Sequence, residues 1–552
     1  MLRSLRLLVP LLLLALFAVA RPAAAQIGGT TDIITGTVVG PGNVPVAGAH
    51  VEVTSAETGI TRTKTTNDKG QYTLLFPDGG GQYTVTVRAL GLAPRQFALT
   101  RQADEDRLVA NVTMSPAATQ LATVNVRARR PAARPDERPT PGSTGRQLSG
   151  EQLARLPVDP SDPNAVALLA PGVVAVSGTD TTAAGFSVAG QRPDQNSVTL
   201  DGISFASAIA VPQEAIRNTR VVTSTYDVAR GQFTGGIVQT TTRGGTNDVA
   251  GSASYSLRDP HLQWADEAGD SVSTFTQAYT QRQISGGIGG PIVKDRLFYF
   301  GSAQLRRRTN PLQSLLAVDP TTLQRLGASP DSAHRFLDLL NDYGIPANVG
   351  GVPDDRLADN GSAIVRMDYQ VGENHSLMVR GNLQGSLQQG SRTTALTVPS
   401  FGGEQTTRGG GAMASLSSVL GTFLNEARAS YERDHNGGDP YVLLPDGRVV
   451  VRSYLDDTTL AVSSLQFGGN PGLPTSGTTR LVELTDELSW LGRPGHRFKL
   501  GALFDYSGFS TANSANRLGS FTFNSLADFA ANTPSAFTRT LTPRVREGNA
   551  IA

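Results

Sequence analysis

Residues 362–384, SAIVRMDYQVGENHSLMVRGNLQ, decide the fold. Ala363, Val365, Met367, Tyr369 and Val371 alternate with Ser362, Arg366, Asp368 and Gln370. Successive side chains of a strand point to opposite faces, so one face is apolar and the other polar. Ile364 breaks the pattern. A tight turn follows at Gly372-Glu373-Asn374-His375, and then Leu377, Val379 and Leu383 oppose Ser376, Arg380, Asn382 and Gln384. Two architectures accept such a hairpin: a soluble sheet with one buried face, and a transmembrane barrel with its apolar side to lipid and its polar side to a wet lumen. The full charges of Arg366 and Arg380 favour the barrel, because a sealed apolar core rejects an unpaired charge.

The flanking sequence repeats the signal. SYSLRD (254–259), RLFYFGSAQLRRR (296–308), NEARASYERD (425–434), LVELTDELSW (481–490) and HRFKLGALFDYSGF (496–509) read as long strands. In the last, Phe498, Leu500, Ala502, Phe504 and Tyr506 oppose Arg497, Lys499 and Asp505, after a turn at Gly492-Arg493-Pro494-Gly495. Such strands reach the roughly 10 residues that cross a tilted bilayer. Some connections are tight, whereas the one from Thr309 to Gly361 is long. Asp486 falls on the outward face and does not fit. We expect about ten strands over residues 246–552, against about 22 in a large outer-membrane transporter. The ending RVREGNAIA is polar. The sequence therefore predicts an incomplete barrel, a fragment that does not transport alone, since an open barrel leaves backbone groups unpaired in lipid.

Upstream, MLRSLRLLVPLLLLALFAVARPAAAQ places Arg3 and Arg6 before an apolar run, Leu7 to Ala20, and small residues at 23–25. This is the layout of a secretory signal peptide (1–25) cut between Ala25 and Gln26. Residues 26–115 alternate short β-rich runs with turns at GPGNVP, NDKG and PDGGG, which predicts a small β-sandwich. Residues 116–146 are a linker ending in the proline-rich PAARPDERPTPGSTGR. Ahead of that run, Leu121, Ala122, Thr123, Val124, Asn125 and Val126 form a brief β-capable patch. Residues 147–245 read as a compact α+β domain, with Ser149 capping a short helix and Gln152 three residues on. It ends in TGGIVQTTTRGGTND (234–248), too polar for an ordinary core. There Gly235 and Gly236 allow close backbone approach, and Gly244 and Gly245 read as a hinge into the barrel. The fold class is thus mainly β: sandwich, α+β plug, antiparallel transmembrane barrel.

Composition excludes several functions. The chain of 552 residues has no cysteine, so thiol nucleophiles, thiolate zinc sites and disulfides are ruled out. Lys+Arg number 48 and Asp+Glu 47, which gives no argument for nucleic acid. The six histidines are scattered without metal-ligand spacing. Gly185-Phe186-Ser187-Val188-Ala189 lacks the second glycine of a nucleophile elbow, and GQFTGG lacks the lysine of a phosphate loop. No enzyme activity, metal or cofactor is expected.

This order resembles the TonB-dependent outer-membrane receptors, in the Oar-like branch with an N-terminal carboxypeptidase-regulatory-like domain. The sandwich resemblance rests on Ile34–Val38, Val46–Val51, Thr66–Tyr72 and Tyr83–Val85. The plug resemblance rests on LLAPGV (168–173), FSVAGQRPDQNSVTLDGI (186–203) and TGGIVQTTTRGGTND, with Asp201-Gly202 at the plug's Asp-Gly turn. SGGIGGPIVKDRLFYFGS (285–302), Leu424–Arg428 and GHRFKLG (495–501) resemble barrel strands. The resemblance implies import of a solute (oligosaccharide, peptide or metal chelate), energised from the inner membrane. It implies an inner-membrane energy-transducing partner whose periplasmic domain pairs with the patch Leu121–Val126 by strand addition. That patch lacks the acidic residue usual in the family. A barrel that merely anchors a carbohydrate- or protein-binding sandwich remains the alternative.

Overall fold

The computed structural model describes residues 31–77, 80–101, 107–116, 144–156, 158–176, 185–204, 211–224, 235–262, 279–454, 460–493, 496–513, 515–541 and 544–551. The expected signal peptide, with Ala25 and Gln26, and the patch Leu121–Val126 lie outside them.

One antiparallel sheet of ten strands dominates the fold. Its strands are Ala250–Arg258, Thr280–Val293, Leu297–Pro311, Asp355–Gln370, His375–Ser391, Gly403–Leu420, Phe423–Pro440, Thr475–Arg493, His496–Asn513 and Arg544–Ile551. The first and the last are its edges, so the sheet is not closed. Arg366 pairs with Arg380 across the hairpin that fixed the reading, and both are 2 % exposed. Val365, Met367, Val379 and Leu383 point the other way and are exposed, as a lipid-facing side requires. Phe423, Trp490 and Phe498 stand in register across three neighbouring strands near the short turns. Aromatic residues concentrate at such interfaces. The outward Asp486 sits close to this row and accepts a hydrogen bond from Asn425 Nδ2 at 2.7 Å, which accounts for its breach of the pattern.

Short turns at 294–296, 371–374 and 421–422 mark one end of the sheet. Four connections at the other end are not loose loops. Segments within 312–354, 392–402, 441–474 and 515–541 fold together into a second domain that the sequence reading did not separate. Its sheet runs Leu460–Gly468, Asp446–Tyr454, Ser520–Phe523, Ala536–Thr538. Helix Pro330–Asp342 is capped by Ser329 and presents Ala333, Phe336 and Leu340 on one stripe. These pack with Val398, Phe401, Val449, Leu465, Phe467, Phe523 and Phe529.

The N-terminal unit is two packed sheets. One holds Gln71–Phe76, Asp32–Val39, Arg107–Val109 and Val112–Thr113; the other holds Thr61–Thr65, His50–Ser55, Gln82–Arg88 and Arg95–Thr100. Tyr83, Val85 and Val87 alternate inward with Thr84 and Thr86 between them, as read. Strand Arg95–Thr100 was not read, because only Phe97 and Leu99 mark it and both stay partly exposed. Asp32 is buried in this unit against Arg101 (3.0 Å) and the Tyr83 hydroxyl. Burial pushes its carboxyl up despite those partners.

Residues 144–242 form a five-stranded sheet in the order Ile203–Ser204, Ser197–Leu200, Ile237–Thr242, Ile216–Ser224, Thr144–Ser149. The edge strand Thr144–Ser149 begins just ahead of the boundary expected at 147. The reciprocal cap expected at Ser149 is present: Gln152 N donates to Ser149 Oγ at 3.2 Å, and Ser149 N donates to Gln152 Oε1 at 2.9 Å.

Candidate functional site

The five-stranded unit is seated against the inner face of the ten-stranded sheet. Part of the seat is apolar. Phe300 and Ile364 reach from the wall into a cluster with Leu148, Leu153, Phe186, Leu200, Ile216 and Val238. Ile364, the exception to its strand's alternation, is 2 % exposed because the plug covers it.

The rest of the seat is charged and centres on Asp201. The expected Asp-Gly turn is there: Asp201 and Gly202 both take positive φ, 54° and 84°. Aspartate tolerates that region better than most residues and glycine adopts it freely. The turn aims the carboxylate at the neighbouring strand, where Thr242 N (2.8 Å) and Thr242 Oγ1 (2.9 Å) donate to it. From the wall, Arg380 Nη1 donates to Asp201 Oδ2, and Arg366 lies 4.0 Å from Oδ1. Arg366 also donates to the Thr242 carbonyl (2.9 Å) and pairs with Asp368 (2.8 Å). Burial alone would raise the Asp201 carboxyl; Arg380, Arg366 and the Thr242 bonds outweigh it and hold it below the usual range. The threonines that seemed unfit for a core therefore have work. Ile237–Thr242 is the central strand, wholly buried, and Thr242 binds both the plug's acid and the wall's Arg366.

Smaller ties surround this centre. Gln213 N donates to Gln304 Oε1 (3.0 Å), Ser204 N to Glu483 Oε2 (3.0 Å), and Arg306 meets Asp159. In the strand-end run Arg306-Arg307-Arg308, Arg306 turns inward to the plug, while Arg307 pairs with Asp359. Wall strand Gly403–Leu420 carries Gly409 and Gly411 on its inward face. Their missing side chains leave room for Asp434 and Glu432, which would stand 1.8 Å and 2.7 Å from an added Cβ. Among the described residues, no group of three His, Asp or Glu side chains could hold a metal ion.

Gly235, Gly236 and Gly245 serve close approach, not positive φ. A Cβ on Gly235 would lie 2.2 Å from Asn196 Oδ1, and one on Gly236 2.7 Å from Val188. At the junction, Gly244 and Gly245 lie in irregular backbone between Thr242 and Ala250. A Cβ on Gly245 would sit 2.5 Å from the Tyr299 carbonyl oxygen and 2.8 Å from that of Gly290. Backbone atoms of a paired sheet cannot yield, so Gly245→Ala is expected to cost about 1–3 kcal/mol. A lower urea midpoint for plug release, followed by protease cutting, would register it.

Comparison with known proteins agrees with this architecture. Residues 33–115 match the carboxypeptidase regulatory-like domain, and residues 241–348 and 334–550 match an outer membrane beta barrel domain. The TonB-dependent transporter Oar of Myxococcus xanthus is 25% identical over 173 residues, covering 28% of this chain and 16% of that protein. The outer membrane transporter YddB of Escherichia coli shares 15% identity at a TM-score of 0.50, over 74% of this chain and 52% of its own. The chain thus spans about a sixth of the curated relative and half of the solved structure. No helix among the described residues is long and apolar enough to cross a membrane. The chain belongs to the family of the outer membrane beta barrel domain, and carries a carboxypeptidase regulatory-like domain at residues 33–115.

Proposed function

We propose that the protein is the receptor of an energised importer in the outer membrane, taking in an oligosaccharide, a peptide or a metal chelate. The observation that carries this reading is the plug: a separate sheet held inside a barrel wall by a buried ion cluster around Asp201. A barrel that only anchored the sandwich would need no such stopper. The short turns face the periplasm, as in bacterial barrels generally, which places the sandwich on that side. The domain built from the long connections then faces outward, where solute arrives.

In this reading the inner-membrane energy-transducing protein engages Leu121–Val126 by adding a strand. That segment lies between the sandwich and the plug's edge strand Thr144–Ser149, so a pull there reaches the plug first at its edge. Labelled oligosaccharide, peptide and ferric-chelate probes identify the cargo by energy-dependent accumulation in cells. Deleting residues 121–126 from a complete receptor that contains this chain should then abolish accumulation while surface binding of the same probe persists. It should also abolish capture of the transducer's periplasmic domain. Unchanged accumulation would remove the coupling role from this segment. Surface binding with no accumulation of any probe would favour the anchored binder.

A further inference from the structure

The sandwich is seated on the rim of the barrel by contacts that its own fold does not need. In strand Asp32–Val39, Ile34 faces the sandwich core, so its neighbour Ile33 must face outward. Ile33 is nevertheless 1 % exposed. It pairs in register with Leu75, which also faces out and is also buried. The two meet Val419, Leu424 and Leu491, at the short-turn end of three barrel strands. Polar ties ring this patch. Thr31 Oγ1 donates to Glu426 (3.1 Å), Arg107 Nη2 to the Leu491 carbonyl (3.1 Å), and Thr61 N to Asp295 (2.7 Å). Lys64 Nζ reaches Glu373 (3.0 Å) and Asn374 (2.6 Å) on the next turn.

The junction after the plug joins the same seat. Asn247 Nδ2 donates to the Gly59 carbonyl (3.0 Å) and to Asp295 Oδ1 (2.6 Å), so sandwich, junction and barrel turn share one residue. The direct tie from sandwich to plug is of a different quality. Arg217 Nη2 donates to Glu57 Oε1 at 3.2 Å; the Arg217 side chain is 12 % exposed and that of Glu57 45 %, and Arg217 also attracts the sandwich's Asp32 at longer range. Water reaches the Glu57 side of the pair and screens it, which limits what it contributes.

We propose that the sandwich is a fixed part of the barrel rim, and that the plug moves independently of it. The apolar patch and the ties to three successive turns hold it to the barrel, and the Arg217–Glu57 pair is the contact that yields when the plug leaves. The sandwich would then frame the periplasmic exit as a stationary collar. The collar's place at the exit rests on the importer reading above; the seat of the sandwich on the rim does not.

The absence of cysteine makes a direct test clean. Two double variants are made in the full chain, Lys64→Cys with Asn374→Cys, and Glu57→Cys with Arg217→Cys, and each is treated with a short bismaleimide. Plug release is followed in urea by protease cutting of the plug. The rim staple should form readily and leave the urea midpoint of plug release where it was. The plug staple should raise that midpoint. A rim pair that fails to cross-link overturns the seat. A rim staple that raises the midpoint as much as the plug staple overturns the independence of the plug. Ile33→Glu, which places a charge in the patch, should abolish the rim cross-link while the sandwich stays folded; an undiminished yield counts against the patch.

Discussion

Replacing Asp201 with alanine is expected to unseat the plug. The substitution leaves Arg366 and Arg380, each 2 % exposed, without their shared anion. It also removes the acceptor for Thr242 N and Thr242 Oγ1. Removing one partner of a buried ion pair costs about 3–5 kcal/mol, chiefly because the stranded charge stays buried. Asp368 remains beside Arg366 and softens the loss there, while Arg380 loses its close carboxylate and keeps the longer-range attraction of Glu432. The measurement is the urea midpoint at which protease first cuts the plug, with barrel strand content followed by circular dichroism. The plug should be released at far lower urea while the barrel signal is kept. Asp201→Asn, which preserves shape and removes charge, should show most of the loss. An unshifted midpoint in both variants would mean that the apolar seat around Phe300 and Ile364 suffices.

The same site sets an acid limit. The Asp201 carboxyl titrates below its unfolded value of about 3.9, so its stabilisation is complete above that pH. It is lost as pH falls through the lower, folded value. The part of the plug's hold that comes from this carboxylate should therefore be constant near neutrality and be lost in strong acid, as the urea midpoint of plug release against pH would show for wild type relative to Asp201→Asn.

The second large effect is expected in the outward domain. Phe336 is fully buried, with ring centres 5.8 Å from Phe467 and 5.9 Å from Phe529. Phe→Ala at such a site costs about 3–5 kcal/mol in lost transfer energy and cavity. This small core is built from four separate connections, so most of its stability rests on few side chains. Phe336→Ala should open these connections to protease at temperatures where the ten-stranded sheet is intact. Loss of strand signal at the same temperature would show instead that the two units fold as one. Tyr343, whose hydroxyl donates to the Phe529 and Ala530 carbonyls (3.0 and 2.9 Å), ties the helix end to this core and should show a milder form of the effect.

Much of the barrel was legible because its code is local. Alternation in 362–384 and in 496–509 follows from strand geometry, and the structure keeps both faces as read. The Ser149 cap and the Asp201-Gly202 turn were equally local, each a matter of one side chain and its own backbone. The outward domain was not legible for the opposite reason. Helix Pro330–Asp342 has an apolar stripe that any helix could bury, and its partners lie in Val449, Phe467 and Phe529, more than a hundred residues away.

The exceptions carry the clearest division. By itself, the sequence determined that this chain makes sandwich, plug and barrel strands, because side-chain alternation and turn chemistry are properties of short segments. It also exposed Ile364 as a failure of alternation; the doubled Ile33-Ile34 and Leu74-Leu75 are further failures, recognised as such only in the folded chain. Only the tertiary structure decided what those failures mean. Ile364 is covered by the plug, and Ile33 and Leu75 by the barrel rim. An apolar residue on a polar face demands a partner, but which surface arrives depends on contacts between residues hundreds apart, and no local pattern encodes that choice.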